Sequence, residues 1–155
     1  MKKIIFVLLT AALCIDVAYA QKIAADKVPS AVSSAFKTKF PTATKTTWEI
    51  ENKNEFEANF KLNGVETSAN FDNAGKWLET ETEIKVAELP AAIQTAIKTD
   101  FAGFKIEEAS KIESLKNGNC YEAEIEKGEE SYDVLFSNDG KVLSRSKLEE
   151  KEKKD

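Results

Sequence analysis

Histidine is absent from this chain of 155 residues, and cysteine and proline are scarce, with two and three residues respectively. Histidine is the commonest general base near neutral pH and a usual ligand of zinc, so its absence excludes histidine-based triads and ordinary zinc sites. Cys14 lies in an N-terminal apolar segment, which leaves Cys120 alone once that segment is removed. The sequence therefore predicts a protein that is not an enzyme and needs no cofactor.

Excess positive charge is also lacking, because the formal net charge is −5 at pH 7. An acidic chain offers no basic patch for nucleic-acid phosphates and gains nothing at an anionic lipid surface. Cationic partners are favoured instead. We expect a protein or peptide partner, basic in character, and no nucleic acid.

Long hydrophobic runs are missing too, since the longest is the segment 4–13 near the N-terminus. It follows Lys2 and Lys3 and precedes Ala18-Tyr19-Ala20, the three parts of a secretory signal. A mainly apolar segment of ten residues is too short for a membrane span, which needs about 20. The sequence predicts a signal peptide over residues 1–20, cleavage after Ala20, and a periplasmic or secreted protein.

The remaining chain contains the same pattern twice. Val28-Pro29-Ser30-Ala31-Val32 is matched 61 positions later by Leu89-Pro90-Ala91-Ala92-Ile93, and Phe71-Asp72-Asn73-Ala74-Gly75-Lys76 is matched 65 positions later by Phe136-Ser137-Asn138-Asp139-Gly140-Lys141. A duplication with a fixed period indicates two copies of one structural unit. We predict repeats at residues 27–86 and 87–148, preceded by a mobile leader at 21–26 and followed by a charged, disordered tail at 149–155.

Each repeat begins with helical periodicity and continues with alternation typical of strands. Apolar residues recur at helical spacing from Val28 to Phe40 and from Leu89 to Phe101. Strands are predicted at 44–51, 56–62, 65–71 and 76–84, and at 105–115, 119–127, 130–136 and 141–148. The predicted fold class is α+β: two tandem units of one helix and a four-stranded antiparallel meander, forming one continuous sheet with the helices packed on one face.

Alternation along these strands also predicts what the helix-free face presents. If Phe56, Ala58, Phe60 and Leu78 point to the core, a mainly acidic face with a few apolar residues remains on the other side. An apolar residue on an open sheet can anchor a partner. The candidate partner-binding residues are Trp77, Leu135, Val142, Glu55, Glu57, Glu79, Glu81, Glu122 and Glu124.

Several alternatives stay open for these residues. Trp77 is equally explained as a residue that folds over its neighbours, and a register slip of one residue would reverse the face assignment. Cys120 is either a small buried residue or a free thiol, with burial favoured because no basic neighbour in sequence lowers its pKa. The Asn- and Asp-containing turns before Gly75 and Gly140 superficially suggest calcium loops, but hairpin turns explain them more simply.

The layout resembles that of the PepSY-like family of β-lactamase-inhibitor-like exported proteins. A signal peptide is followed by two copies of a unit that consists of a helix starting with Val-Pro or Leu-Pro and four strands with Gly-Lys at the last turn. The similarity covers about 26–148, with matching residues that include Phe40-Pro41, Trp48 and the pair Phe56-Glu57-Ala58 and Tyr121-Glu122-Ala123. The resemblance implies a fold like that of the tandem-repeat β-lactamase inhibitor, whose concave sheet grips a partner enzyme, and no catalytic residues. The disulfides of that inhibitor are missing here.

Two functional hypotheses follow. The first is a non-enzymatic exported binding module that holds a protein or peptide on the helix-free face, with inhibition as one form of that role. The alternative is weak binding of divalent cations, or a sensory role, at the cell envelope. Replacing Trp77 distinguishes an anchor from a core residue, and calcium should raise the melting temperature only under the alternative.

Overall fold

The computed structural model describes residues 21–148, so the predicted signal peptide and the predicted C-terminal tail lie outside the described residues. Nine strands and two helices follow one another along the chain. Two short 3-10 turns, Ala25–Lys27 and Val86–Glu88, lie shortly before the helices. The elements are β1 Gln21–Ile23, α1 Ser30–Lys39, β2 Thr44–Asn52, β3 Glu55–Leu62, β4 Val65–Asp72, β5 Trp77–Glu83, α2 Ala91–Asp100, β6 Lys105–Ser114, β7 Gly118–Lys127, β8 Glu130–Ser137 and β9 Val142–Lys147.

All nine strands form one antiparallel sheet, in which the order of the strands is their order in the chain. A mixed α+β architecture with one continuous sheet is therefore confirmed. The expectation of a mobile leader at 21–26 is wrong, because Gln21 and Ile23 pair with Ile50 and Trp48 of β2. Three residues of strand carry too little periodicity to be detected in the sequence.

The two helices follow from local sequence. Pro29 and Pro90 stand immediately before α1 and α2, where a missing N–H costs nothing. Pro41 follows the end of α1 and cannot continue it, and Gly103 follows the end of α2. Neither described helix has the length and apolar character that crossing a bilayer requires.

Each helix packs on its own hydrophobic core. In the first, Val32 and Phe36 of α1 meet residues of β2 to β4, and the Phe36 ring contacts Trp48 and Phe60 at centroid distances of 5.2 and 5.0 Å. In the second, Ile93 and Ile97 of α2 are buried. The first core cluster comprises Val28, Val32, Phe36, Phe40, Trp48, Ala58, Phe60, Ala69 and Phe71. The second core cluster comprises Leu89, Ile93, Ile97, Phe101, Ala109, Ala123, Ile125, Val134 and Phe136.

The Gly-Lys turn of each half packs directly on the helix of the same half. Gly75, with φ of +81°, lies so close to α1 that a Cβ there would be 2.5 Å from the carbonyl oxygen of Ala31. Gly140, with φ of +86°, approaches α2 in the same way, where a Cβ would be 2.8 Å from the carbonyl oxygen of Ala92. Only glycine satisfies both requirements, which explains why both turns contain it at this point.

A bulge follows each of these turns and changes which side chain faces the core. Phe71 pairs with Trp77 while Asn70 pairs with Glu79, so Leu78 is an extra residue in β5. An extra residue reverses the alternation on one side of the bulge. The prediction that Trp77 points away from the core is therefore wrong, since Trp77 packs against the first core cluster.

The same irregularity occurs at the start of β9. Phe136 pairs with Val142 and Leu135 pairs with Ser144, which leaves Leu143 as the extra residue. Val142 packs against the second core cluster, and Leu143 is 43% exposed. The prediction that Val142 belongs to the helix-free face is wrong for the same reason as that for Trp77.

Candidate partner-binding surface

One side of the central strands is lined by acidic and small polar residues. They alternate with the first core cluster along β3 and β4 and with the second along β6 to β8. Cross-strand pairing joins them into rows, of which Asn59, Ser68, Glu81, Ile112 and Cys120 form one. We call this surface the acidic face: Glu57, Asn59, Ser68, Glu79, Glu81, Glu83, Glu108, Ser110, Ile112, Ser114, Cys120, Glu122, Glu124, Asp133 and Leu135.

A groove crosses the acidic face between β3 and β6. It encloses about 430 Å³, and its walls come from both halves of the chain. A smaller cavity of about 40 Å³ continues from it toward β8, between Glu81, Glu122 and Asp133. The groove is lined by Glu57, Asn59, Glu66, Thr67, Ser68, Glu81, Glu83, Glu108 and Ser110.

Ile112, Ser114 and Cys120 form a buried floor beside the groove. Ile112 is 5% exposed and Cys120 is not exposed, although neither belongs to the two core clusters. Ser114 accepts hydrogen bonds at its Oγ from the N–H groups of Lys116 and Asn117 in the following turn. The longer side chains around them thus shield small and apolar residues from water on the acidic face.

Crowded carboxylates give the acidic face unusual electrostatics. Burial, followed by the charges of Glu81, Asp133, Glu79 and Glu124, raises the pKa of Glu122 from 4.5 to about 7. Desolvation and neighbouring negative charge both disfavour ionisation, and here they act together. At neutral pH Glu122 is therefore only partly ionised.

Three further carboxyl groups show the same direction of change. Burial is the first cause of the raised pKa of Glu57, Glu79 and Glu81, and neighbouring glutamates add to it. Hydrogen bonds from Ser68, Ser114 and Ser110 respectively act in the opposite direction. These hydroxyl groups stabilise the charged forms only in part, since the net direction is upward.

Within residues 21–148, the ion pairs involve none of the four carboxyl groups whose pKa is raised. The ion pairs Lys61–Glu66 and Lys111–Glu113, with N–O distances of 2.6 and 3.8 Å, involve neither Glu81 nor Glu122. Lys116 contributes only a weaker attraction to Glu79. The acidic face is thus a negatively charged surface that an external cation would stabilise.

The thiol of Cys120 lies within this environment. Burial, and then the charges of Glu79, Glu122 and Glu81, raise its pKa. A thiol is reactive as the thiolate, which these carboxylates disfavour. Of the two readings of Cys120, the structure shows the buried one.

The structure brings together most, but not all, of the predicted site residues. Glu57, Glu79, Glu81, Glu122, Glu124 and Leu135 lie on the acidic face, as the register shows. Glu55, the first residue of β3, lies on the same side as Glu57; its charge contributes to the raised pKa of Glu79, and its carboxylate accepts a hydrogen bond from the amide of Asn52. Trp77 and Val142 lie against the two cores instead.

Trp77 makes specific contacts on the core side. Its indole N–H donates a hydrogen bond to the hydroxyl of Thr80 at 2.9 Å, and Thr80 pairs with Ala69 of the first core cluster. The Nζ atom of Lys39 lies 4.1 Å from the centre of the Trp77 ring. These contacts explain why Trp77 is half-buried, and no binding partner is needed to explain it.

Sequence reasoning missed the contribution of β6 to this surface. Glu108, Ser110 and Ile112 all face the acidic side, but a bulge between Ile106 and Glu108 interrupts the alternation there. From Glu108 to Ser114 the register is regular. Reading this shorter segment alone would have placed Glu108, Ser110 and Ile112 on one face.

Within residues 21–148, no three or more histidine, cysteine, aspartate or glutamate side chains are arranged to hold a metal ion. The carboxylates of the acidic face are spread along the groove and the smaller cavity beside it. Calcium needs six to eight oxygen ligands at about 2.3–2.6 Å around one point.

Known structures share this architecture. A periplasmic protein from Bacteroides eggerthii is 24% identical, with a TM-score of 0.70 over 77% of this chain and 88% of that chain. A DUF2874 family protein from Bacteroides uniformis is 23% identical, with a TM-score of 0.69 over 77% and 88%. A protein from Bacteroides fragilis described as BLIP-like is 27% identical, with a TM-score of 0.65 over 77% and 86%.

Comparison of the sequence with a family model agrees with these structural matches, whereas comparison with individual curated proteins does not add a relative. A comparison with curated proteins finds no match. The family model described as "Putative beta-lactamase-inhibitor-like, PepSY-like" matches residues 15–67 and 54–144. The chain therefore belongs to the PepSY-like family of β-lactamase-inhibitor-like proteins.

Proposed function

We propose that the protein is a non-catalytic, exported binding module whose acidic face holds a protein or peptide through its cationic side chains. One observation carries the proposal: Glu57 and Glu81 line a groove of about 430 Å³, Glu122 lines the smaller cavity beside it, and no ion pair within residues 21–148 involves any of the three. A lysine or arginine of a partner would provide the missing charge.

The proposal includes an arrangement in which both helices cover the same face of the sheet. Residues that pair across strands lie on the same face, and Ala69 pairs with Thr80, which pairs with Glu113. Ala109 is four residues from Glu113 in a regular stretch of β6, so it lies on that face too. Ala69 belongs to the first core cluster and Ala109 to the second. In each half a Gly-Lys turn packs on the helix that belongs to the same core cluster, which supports two tandem repeats at 27–86 and 87–148.

A polypeptide is a better occupant than a small molecule for this groove. Its walls extend across four strands, and it is open along its length, so several side chains of an extended segment fit into it. Structural neighbours are described as periplasmic or BLIP-like, which supports an envelope protein as the partner class. Inhibition of an enzyme is one form that such binding takes.

Calorimetric titration with an oligolysine peptide at low ionic strength tests the proposal. We expect binding that weakens with salt, because exposed charge interactions are screened. Neutral and polyglutamate peptides of equal length should not bind. An oligolysine affinity no greater than that of the neutral peptide would refute the proposed function.

A pair of variants with equal charge change locates the site. Glu57→Gln with Glu81→Gln removes two carboxylates from the groove walls and should weaken oligolysine binding at least about tenfold, equivalent to about 1.4 kcal/mol. The control carries Glu129→Gln, in the turn between β7 and β8, and Glu130→Gln, at the start of β8, both at exposed positions. Equal weakening in both pairs would show that net charge, and not the groove, attracts the peptide.

A further inference from the structure

The boundary between β5 and β6 differs from the interior of either half. No residue belongs to both core clusters in the described part of the chain. On the core side of the boundary, Thr80 and Thr82 of β5 face Glu113 and Lys111 of β6. These four side chains are polar and at least partly exposed, so no hydrophobic packing bridges the two halves at this point.

Backbone pairing joins the halves along β5 and β6, and at one end of this pairing Ile84 and Val86, which follow β5, pack against the second core cluster. Five residue pairs connect β5 with β6, from Glu79–Ser114 to Glu83–Ser110. The N–H groups of Ile84 and Leu115 add one hydrogen bond each at the two ends, both of 2.9 Å. By comparison, nine pairs connect β6 with β7. A two-stranded ladder without side-chain packing on its core side can bend and twist more easily than a packed one.

The opposite side of the same boundary carries charge from both halves. Glu79 and Glu81 belong to β5, and their nearest carboxyl neighbours across the boundary are Glu108, Glu122 and Asp133. Glu124 adds to the charge around Glu122 from its own strand. Glu55 and Glu51 add negative charge around Glu79, and Lys116 is a basic neighbour of Glu79. When these carboxyl groups ionise, the halves repel one another across the groove.

We propose that the β5–β6 boundary is an acid-sensitive hinge, which opens the groove when its carboxyl groups ionise and closes it when they are protonated or neutralised by a cation. The two halves move as bodies, because each keeps its own helix and core. The strands of the boundary stay paired and change their relative twist. A few kinked or twisted residues are sufficient for such a motion.

Charge neutralisation of Glu122 would operate near physiological pH. Its pKa of about 7 places the change between pH 6 and 8, while Glu79 and Glu81 follow in the same direction. As pH rises, negative charge accumulates on both sides of the boundary, and the groove widens. As pH falls, the repulsion disappears and the halves approach each other.

Pulsed electron-spin distance measurement between two labels tests the hinge directly. Lys53→Cys and Asn138→Cys place the labels on exposed turns in opposite halves, in a Cys120→Ala background that removes the native thiol. We expect the mean distance to change by more than about 2 Å between pH 5 and pH 8, the scale of a hinge rearrangement. An identical distance distribution at both pH values would overturn the proposal.

Two charge variants show whether the boundary carboxylates drive the change. Glu81→Gln with Glu122→Gln should abolish the pH-dependent shift, whereas Glu129→Gln with Glu130→Gln should leave it intact. A shift that persists in the first pair refutes the carboxylate hinge. Circular dichroism at both pH values confirms that each variant is folded, and if the double variant unfolds, Glu122→Gln alone provides the same comparison.

The hinge is tested independently of the proposed binding function, because the pH-dependent distance measurement needs no ligand. Adding oligolysine at pH 8 separates the two: the groove should close toward its pH 5 distance if both hold. Oligolysine binding without a change in the label distance would support the binding function and refute closure by a cation. A pH-dependent change in the label distance without oligolysine binding would support the hinge and refute the proposed function.

Discussion

Replacing Glu122 with glutamine should make the protein more stable at pH 8 and leave its stability at pH 4 almost unchanged. The pKa of this carboxyl is about 7 in the folded protein and 4.5 in an unfolded reference. A raised folded-state pKa means that the stability this group provides is fully present below about pH 4.5 and is lost as pH rises through about 7. Glutamine has a similar shape and no charge, so the variant avoids that loss.

The magnitude follows from the change in pKa. A rise from 4.5 to about 7 is equivalent to at most about 3.4 kcal/mol, at 1.36 kcal/mol per unit. Glu122 is only half-buried, and water screens its interactions, so about 1–2 kcal/mol of this is expected. The pKa of Glu81 is also raised, so Glu81 contributes further pH dependence of the same sign in both the wild type and the variant.

Urea denaturation followed by tryptophan fluorescence measures this effect. The free energy of unfolding of the wild type should fall between pH 4.5 and 8, and that of Glu122→Gln should fall less by about 1–2 kcal/mol. Glu129→Gln, on an exposed turn, is the control with the same charge change. Equal destabilisation of Glu122→Gln at pH 4 and pH 8 would refute the reasoning, since it would indicate a lost contact and not relieved repulsion.

Three other predictions concern the packing of the two glycine turns, of Trp77 and of Cys120. Gly75→Ala and Gly140→Ala should each lower the free energy of unfolding by about 2 kcal/mol or more, because φ is positive and the new Cβ would contact the helix backbone. Lower urea midpoints measure this loss. Gly64→Ala, with open space around its Cβ, should lower the free energy of unfolding less. Trp77→Ala should lower the melting temperature while retaining oligolysine binding, and loss of binding with unchanged stability would contradict its core placement. Cys120 should react with a thiol reagent only after unfolding, and rapid labelling of the native protein would show that it is accessible.

Much of this fold is readable from the sequence because its periodicities are regular. The Val-Pro and Leu-Pro helices and the strands β3, β4, β7 and β8 lie close to their predicted positions. Their side chains alternate without interruption, so the acidic residues Glu57 and Glu122 could be assigned to one surface. The continuous sheet followed from the duplicated pattern and the short connection between its copies.

What the sequence could not reveal depends on single extra residues. Leu78 and Leu143 look like ordinary strand residues, yet each is the extra residue of a bulge that turns Trp77 and Val142 toward a core. Nothing in composition distinguishes a strand with such a bulge from one without it. The cause lies in tertiary structure, because the preceding glycine turn must reach the helix before the strand resumes its pairing.

The sequential order of the nine strands has a consequence for how the chain acquires its structure. Each strand pairs with the one before it, and β1 begins the series at the N-terminal end of the described chain. A chain released gradually, amino end first, meets at each stage an edge that is already formed. Local pairing of this kind keeps loop-closure costs small and shortens the time during which unpaired edges are exposed to other chains.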